Sequence, residues 1–287
     1  MLLAWLQMRA QGGTLVLRIE DIDRVRSKPE ASDAILRDLA WLGFDWDEGP
    51  DVGGPFGPYV QSQRLDAYAA ATERLSARTF RCSCTRKEVR AAAGAPDAET
   101  GEWPYVGTCR EGAQDPERPT SLRVRVDPGV VAWDDLWLGP RAQEPCRVCG
   151  DFILWSKADE PTYQLAVVVD DIHQRITHVL RGEDLVASTA RQILLYRWLR
   201  AAAPAFAHTP LRRDPEGQRL AKSRGSPGLG QLRDAGRDPR RVLGEIAAAL
   251  GILTEERPVA PADLIVPFRD WSGARRLLSL PGPEDAG

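Results

Sequence analysis

The stretch PTYQLAVVVDDIHQRITHVLRGEDL, residues 161–185, constrains this chain more than any other. Residues 165–169 and 179–180 are apolar and rich in β-branched side chains, in runs of strand length and far too short to span a membrane. The pattern predicts two buried strands. Tyr163 opens the first, Asp170 and Asp171 close it, and Arg181, Gly182, Glu183 and Asp184 follow the second. Charged groups then collect at one rim of a sheet, which in open α/β proteins is where ligands bind.

The remaining elements fit the same fold class. Residues 1–10 read as the later part of a helix ended by Gly12 and Gly13, and residues 14–19 as a strand that runs into Glu20, Asp21 and Asp23. Ser27 stands before Glu30 at capping-box spacing, with Pro29 in the first turn of a helix that Gly43 stops. Residues 45–58 are a Gly/Pro/Asp-rich loop and 61–77 another helix. Residues 82–119 look like a small inserted appendage carrying three cysteines. Strict alternation makes 121–126 a strand; 130–138 and 151–155 are weaker candidates, and 188–199 is helical. Residues 211–226 form a turn-rich loop. The tail at 238–280 is helical, with Pro239 starting a helix that turns Val242, Ile246 and Leu250 inward.

With 287 residues and 43% hydrophobic content the chain can bury a substantial core and hold more than one domain. Its formal charge of −3 argues against indiscriminate binding to nucleic acid, although the part after Arg197 is net basic and would draw a polyanion. The five cysteines are close-set and odd in number, which suits thiols or a metal better than a disulfide framework. The opening residues carry no leader pattern, so a soluble, cytoplasmic protein without membrane association is expected, as a monomer.

Four side chains invite chemistry. Glu20, at a strand's end, can hold an ammonium group, while Arg181, at another strand's end, can clamp a carboxylate with two parallel hydrogen bonds. Together with the hydroxyl and ring wall of Tyr163 they describe a pocket for an acidic amino acid. Taken alone, Arg181 could equally pair with Glu183 or Asp184 as a structural ion pair. Lys222 is one of only four lysines and lies in the loop RLAKSRGS, suited to follow a phosphate as charge develops on it.

LRIEDIDRVR at 17–26, TYQLAVVVDD at 162–171, THVLRGEDL at 177–185 and RLAKS at 219–223 together resemble the catalytic core of the glutamate branch of class I aminoacyl-tRNA synthetases. Within the branch the chain is most similar to the short glutamyl-Q tRNA(Asp) synthetases, because only about sixty residues follow RLAKS, too few for an anticodon-binding domain. The resemblance implies a Rossmann-like, doubly wound catalytic domain over 1–81 and 120–226, a zinc-bearing insert at 82–119 and a short helical extension at 227–287. It implies that Glu20, Tyr163 and Arg181 bind L-glutamate, that Lys222 binds ATP, with Mg²⁺ sharing the phosphate charge, and that the glutamyl group passes to queuosine in the anticodon of tRNA(Asp). A truncated glutamyl-tRNA synthetase acting at a 3′ end, and a non-catalytic tRNA-binding remnant, are the alternatives.

The same resemblance implies one structural zinc ion held by Cys82, Cys84, Tyr105 and Cys109. Cys82, Cys84, Cys146 and Cys149 form a rival four-cysteine set. The chain departs from the family in two places. Ala221 and Arg219 stand where the loop usually has serine and lysine. The first signature, an Arg-Phe-Ala-Pro-Ser-Pro strand running into His-Ile-Gly-His, is absent, and the first histidine is His173. An upstream start codon that restores this signature is expected, and the chain as written should have an impaired ATP site.

Overall fold

The computed structural model describes residues 1–23, 27–211 and 228–278. In chain order its helices are α1 (Leu2–Gln11), α2 (Pro29–Trp41), α3 (Leu65–Arg74), α4 (Arg86–Ala93), α5 (Pro145–Val148), α6 (Tyr163–His173), α7 (Val186–Trp198), α8 (Leu229–Asp234), α9 (Pro239–Ala249), α10 (Ile265–Asp270) and α11 (Ala274–Leu278). Its strands are β1 (Thr79–Cys82), β2 (Ser121–Val124), β3 (Val131–Asp135), β4 (Gly139–Gln143), β5 (Phe152–Trp155), β6 (His178–Gly182) and β7 (Ala205–Thr209). The fold is mixed α/β. None of the described helices is long and apolar enough to cross a membrane.

One unit comprises Met1–Ile19, Arg24–Tyr59 and Thr209–Gly287. Within it α1 ends at Gly12, whose φ of 68° is the left-handed conformation that glycine adopts without a Cβ penalty. Gln7 of α1 is buried and donates to the Leu277 carbonyl at 2.9 Å, tying the first helix to the last. The strand expected at 14–19 is extended but joins no sheet among the described residues. Its Leu17 and Ile19 N–H groups donate to the Glu48 and Tyr59 carbonyls, and the Gly/Pro-rich partner offers only isolated bridges. The capping box expected from Ser27 and Glu30 does not form; Lys28 is the N-cap and Pro29 supplies the preset first turn. In the tail, Val242 is buried and Ile246 and Leu250 half-buried, close to expectation. Gly244 of α9 meets the backbone of Arg257 so closely that a Cβ there would lie 1.9 Å from the Arg257 carbonyl oxygen.

The second unit comprises Glu20–Asp23 and Val60–His208. It holds an antiparallel sheet in the order β1-β2-β5 and a mixed sheet in the order β4-β3-β7-β6, where β3 runs antiparallel to β4 and parallel to β7. Helices α3, α6 and α7 enclose the core with Tyr68, Leu154, Leu165, Val168, Leu195 and Tyr196. Burial of each such side chain contributes roughly 1.5 to 3 kcal/mol.

The run at 165–169 is the middle of α6, not a strand. Leu165, Ala166, Val167 and Val168 are all buried, and a helix enclosed on every side reads as an unbroken apolar run, just as a buried strand does. Asp170 and Asp171 consequently leave the predicted rim for the core. The Asp170 carboxylate is fully buried and accepts from Arg64 Nε at 2.7 Å, Gln61 Nε2 at 2.8 Å and the Tyr68 hydroxyl at 3.0 Å, while Asp171 accepts from the Tyr196 hydroxyl at 2.8 Å. These bonds pin α6 to α3 and α7. Asp170→Ala is therefore expected to cost about 3 to 5 kcal/mol of stability, since it strands the Arg64 charge in the interior. Urea unfolding checks this, and a loss below about 1 kcal/mol, the range of an exposed pair, would contradict it.

Candidate active site

Tyr163 is the first residue of α6, and its place is set by β5: the Thr162 N–H donates to the Leu154 carbonyl and the Thr162 hydroxyl to the Ile153 carbonyl, both at 2.8 Å. Arg181 projects from β6, the edge strand of the mixed sheet as described. Its Nη1 donates to the Tyr163 hydroxyl at 3.3 Å, its Nη2 to Thr189 Oγ1 at 3.0 Å and its Nε to His208 Nε2 at 3.0 Å, and its guanidinium lies 5.2 Å from the Phe206 ring centroid. Glu20 is exposed. The residue after it, Asp21, accepts from the Ser62 N–H at 2.8 Å and the Ser62 hydroxyl at 2.6 Å, which fixes the backbone that carries Glu20.

Tyr163 links the two charges. Burial pushes its phenol above the ordinary value, the Arg181 guanidinium pulls it down and the Glu20 carboxylate pushes it up again. One hydroxyl thus feels both an anion and a cation, although of these two only the Arg181 guanidinium is within hydrogen-bond distance of it. A zwitterion with a second carboxylate has an opposite charge for its ammonium and another for its side chain in such a place. Sequence reasoning missed the supporting residues His208 and Thr189, which carry no motif of their own. Lys222 lies outside the described residues.

The insert brings its predicted ligands together. Cys82, at the end of β1, and Cys84 and Cys109 hold their sulfurs within 4.8 Å of one another, and among the described residues they are the one such group of metal-ligating side chains. Tetrahedral zinc at about 2.3 Å from each sulfur sets its ligands about 3.8 Å apart, so the cluster is compatible with zinc. The Tyr105 hydroxyl stands 3.4 Å from Cys82 Sγ and 3.9 Å from Cys84 Sγ, and accepts from the Cys109 N–H at 2.8 Å. Gly150, at φ +64°, lets the chain close on Tyr105, where a Cβ would come within 2.0 Å of the Tyr105 carbonyl oxygen. Arg123 lies over the Tyr105 ring at 3.9 Å.

Burial pushes the Cys84 thiol up to about 12, whereas Cys109, despite burial, is brought down to about 6 by the Tyr105 hydroxyl and neighbouring N–H groups. Cys109 is thus biased toward the thiolate form that a metal binds, and burial of Cys84 works against its ionisation unless a cation is near. The rival pair is engaged elsewhere: Cys146 Sγ contacts Glu144 at 3.6 Å and Cys149 Sγ contacts the Pro145 carbonyl at 3.2 Å.

Comparison with known proteins agrees with this architecture. The family model for tRNA synthetases class I (E and Q), catalytic domain, matches residues 1–258. The chain is 47% identical to the glutamyl-Q tRNA(Asp) synthetase of Symbiobacterium thermophilum, over 93% of this chain and 85% of that protein. It is 44% identical to the protein of the same name from Nitratidesulfovibrio vulgaris, over 92% and 84%. Among solved structures it resembles the glutamate-tRNA synthetase of Elizabethkingia anophelis, with a TM-score of 0.74 and 27% identity, covering 92% of this chain and 60% of that one.

Proposed function

The chain belongs to the class I tRNA synthetases (E and Q), and from that premise we propose that it activates L-glutamate with ATP and transfers it to queuosine in the anticodon of tRNA(Asp). The observation that carries the reading is the Tyr163 hydroxyl, held by Arg181 and exposed to the field of Glu20. The names and similarity of the two glutamyl-Q relatives support the acceptor.

In the first step the α-carboxylate of glutamate attacks the α-phosphorus of ATP, the bond to the bridging oxygen breaks and pyrophosphate leaves. A queuosine hydroxyl then attacks the activated carbonyl and AMP departs. No protein nucleophile is required, so catalysis is positioning plus stabilisation of phosphate charge. Arg181 takes the side-chain carboxylate, Glu20 the ammonium group and Tyr163 one wall, while Lys222 follows the phosphates. Cys82, Cys84, Cys109 and Tyr105 hold one zinc ion, which stiffens the insert. A cleft of about 520 Å³ beside that cluster, lined by Arg86, Arg90, Arg123, Lys157 and Trp103, offers cations and a ring to the tRNA.

The test uses tRNA(Asp) with and without queuosine. Radiolabelled glutamate should be incorporated only into the queuosine-bearing form. Equal labelling of tRNA that lacks the modified base would remove this reading in favour of 3′-end charging.

A further inference from the structure

Behind Arg181 lies a buried chain of polar groups. His208 of β7 is fully buried beside Asp135 of β3, which is 2% exposed. Asp135 Oδ1 accepts three backbone N–H groups, from Trp137 at 3.1 Å, Leu138 at 3.0 Å and His208 at 3.1 Å, and Oδ2 faces His208 Nδ1 in a short contact. Burial works against ionisation of Asp135, but His208 and these N–H groups hold its carboxyl below the usual range. An ionised carboxylate only accepts, so His208 Nδ1 carries a proton. On the other side of the ring Nε2 meets the Arg181 Nε–H at 3.0 Å and Thr189 Oγ1 at 3.2 Å. Arginine only donates, so Nε2 is bare.

We propose that Asp135 and His208 are positioning residues: through a fixed imidazole tautomer they set the plane of the Arg181 guanidinium and, with it, the affinity for glutamate. This rests on reading Arg181 as the partner of the substrate's side-chain carboxylate. The same logic applies wherever a carboxylate fixes a histidine tautomer whose far nitrogen has a task.

Asp135→Asn tests the relay without changing its shape. Three N–H donors pin the amide oxygen in the place of Oδ1, so the amide nitrogen faces His208 Nδ1. Nδ1 must then accept, the proton moves to Nε2, and that N–H points at the Arg181 Nε–H. In ¹⁵N spectra of the three histidines, with His208→Gln identifying the signal, the variant should exchange the protonated and bare nitrogens of His208. In the same protein the calorimetric dissociation constant for L-glutamate should rise about ten- to a hundred-fold. His208→Gln, whose amide oxygen can replace Nε2 as acceptor, should retain more affinity than His208→Leu.

An exchanged tautomer with unchanged glutamate affinity would overturn the relay while leaving the pocket intact. An unexchanged tautomer would overturn it as well. Should Asp135→Asn fail to fold, the His208 pair decides, and equal affinity in Gln and Leu variants overturns the proposal. Unchanged affinity in Arg181→Ala would instead strike at the pocket assignment itself.

Discussion

Arg181→Ala is expected to weaken L-glutamate binding by roughly a hundred- to a few-thousand-fold, equivalent to about 3 to 5 kcal/mol. The guanidinium is half-buried and already tethered by Tyr163, Thr189 and His208, so it is pre-organised for a carboxylate rather than sweeping through solvent. Removing it leaves the substrate's side-chain charge without a partner beside the buried Thr189 and His208. Arg181→Lys keeps a charge but loses the planar two-pronged geometry, and should recover only part of the loss. Calorimetry with both variants checks this; near-normal affinity in the alanine variant contradicts the pocket assignment.

The second large effect is expected at the insert. Wild-type protein should carry one zinc per chain, Cys109→Ser should lose it, and Cys149→Ser should keep it. Structural zinc is bound with an apparent free energy of roughly 10 to 16 kcal/mol in small zinc domains, so ligand and fold are lost together. Changes even beyond the ligands commonly cost about 10- to 100-fold in metal affinity, and loss of a thiolate should exceed that. Tyr105→Phe separates the phenol from the three thiols, because it removes the oxygen and leaves the ring under Arg123. Metal analysis after dialysis reads all three variants. Zinc lost from Cys149→Ser would favour the four-cysteine set, against the separation of Cys146 and Cys149 from the cluster.

The sequence was legible where a local rule decides the structure. Alternation at 121–126 marked β2, the short branched run before Arg181 marked β6, and Pro239 marked the start of α9. It failed where burial erases periodicity. The apolar run in α6 is enclosed on all sides, so strand and helix write the same letters there, and two aspartates that looked like a solvent-facing rim became buried tethers. Glu20, Tyr163 and Arg181 stood out in the sequence because each is a chemical exception beside an apolar segment, and of the three the structure brings Arg181 and Tyr163 into hydrogen-bond contact. His208 and Asp135 were not, since each is a lone polar residue and their partnership exists only once β3 and β7 lie side by side.

The most direct measurement is a crystal structure of the protein with L-glutamate bound. The side-chain carboxylate should lie within hydrogen-bond distance of Arg181 and the Tyr163 hydroxyl, with the ammonium group toward Glu20. An amino acid seated away from Arg181, or turned so that its α-carboxylate rests there, would contradict the pocket on which the proposed reaction depends.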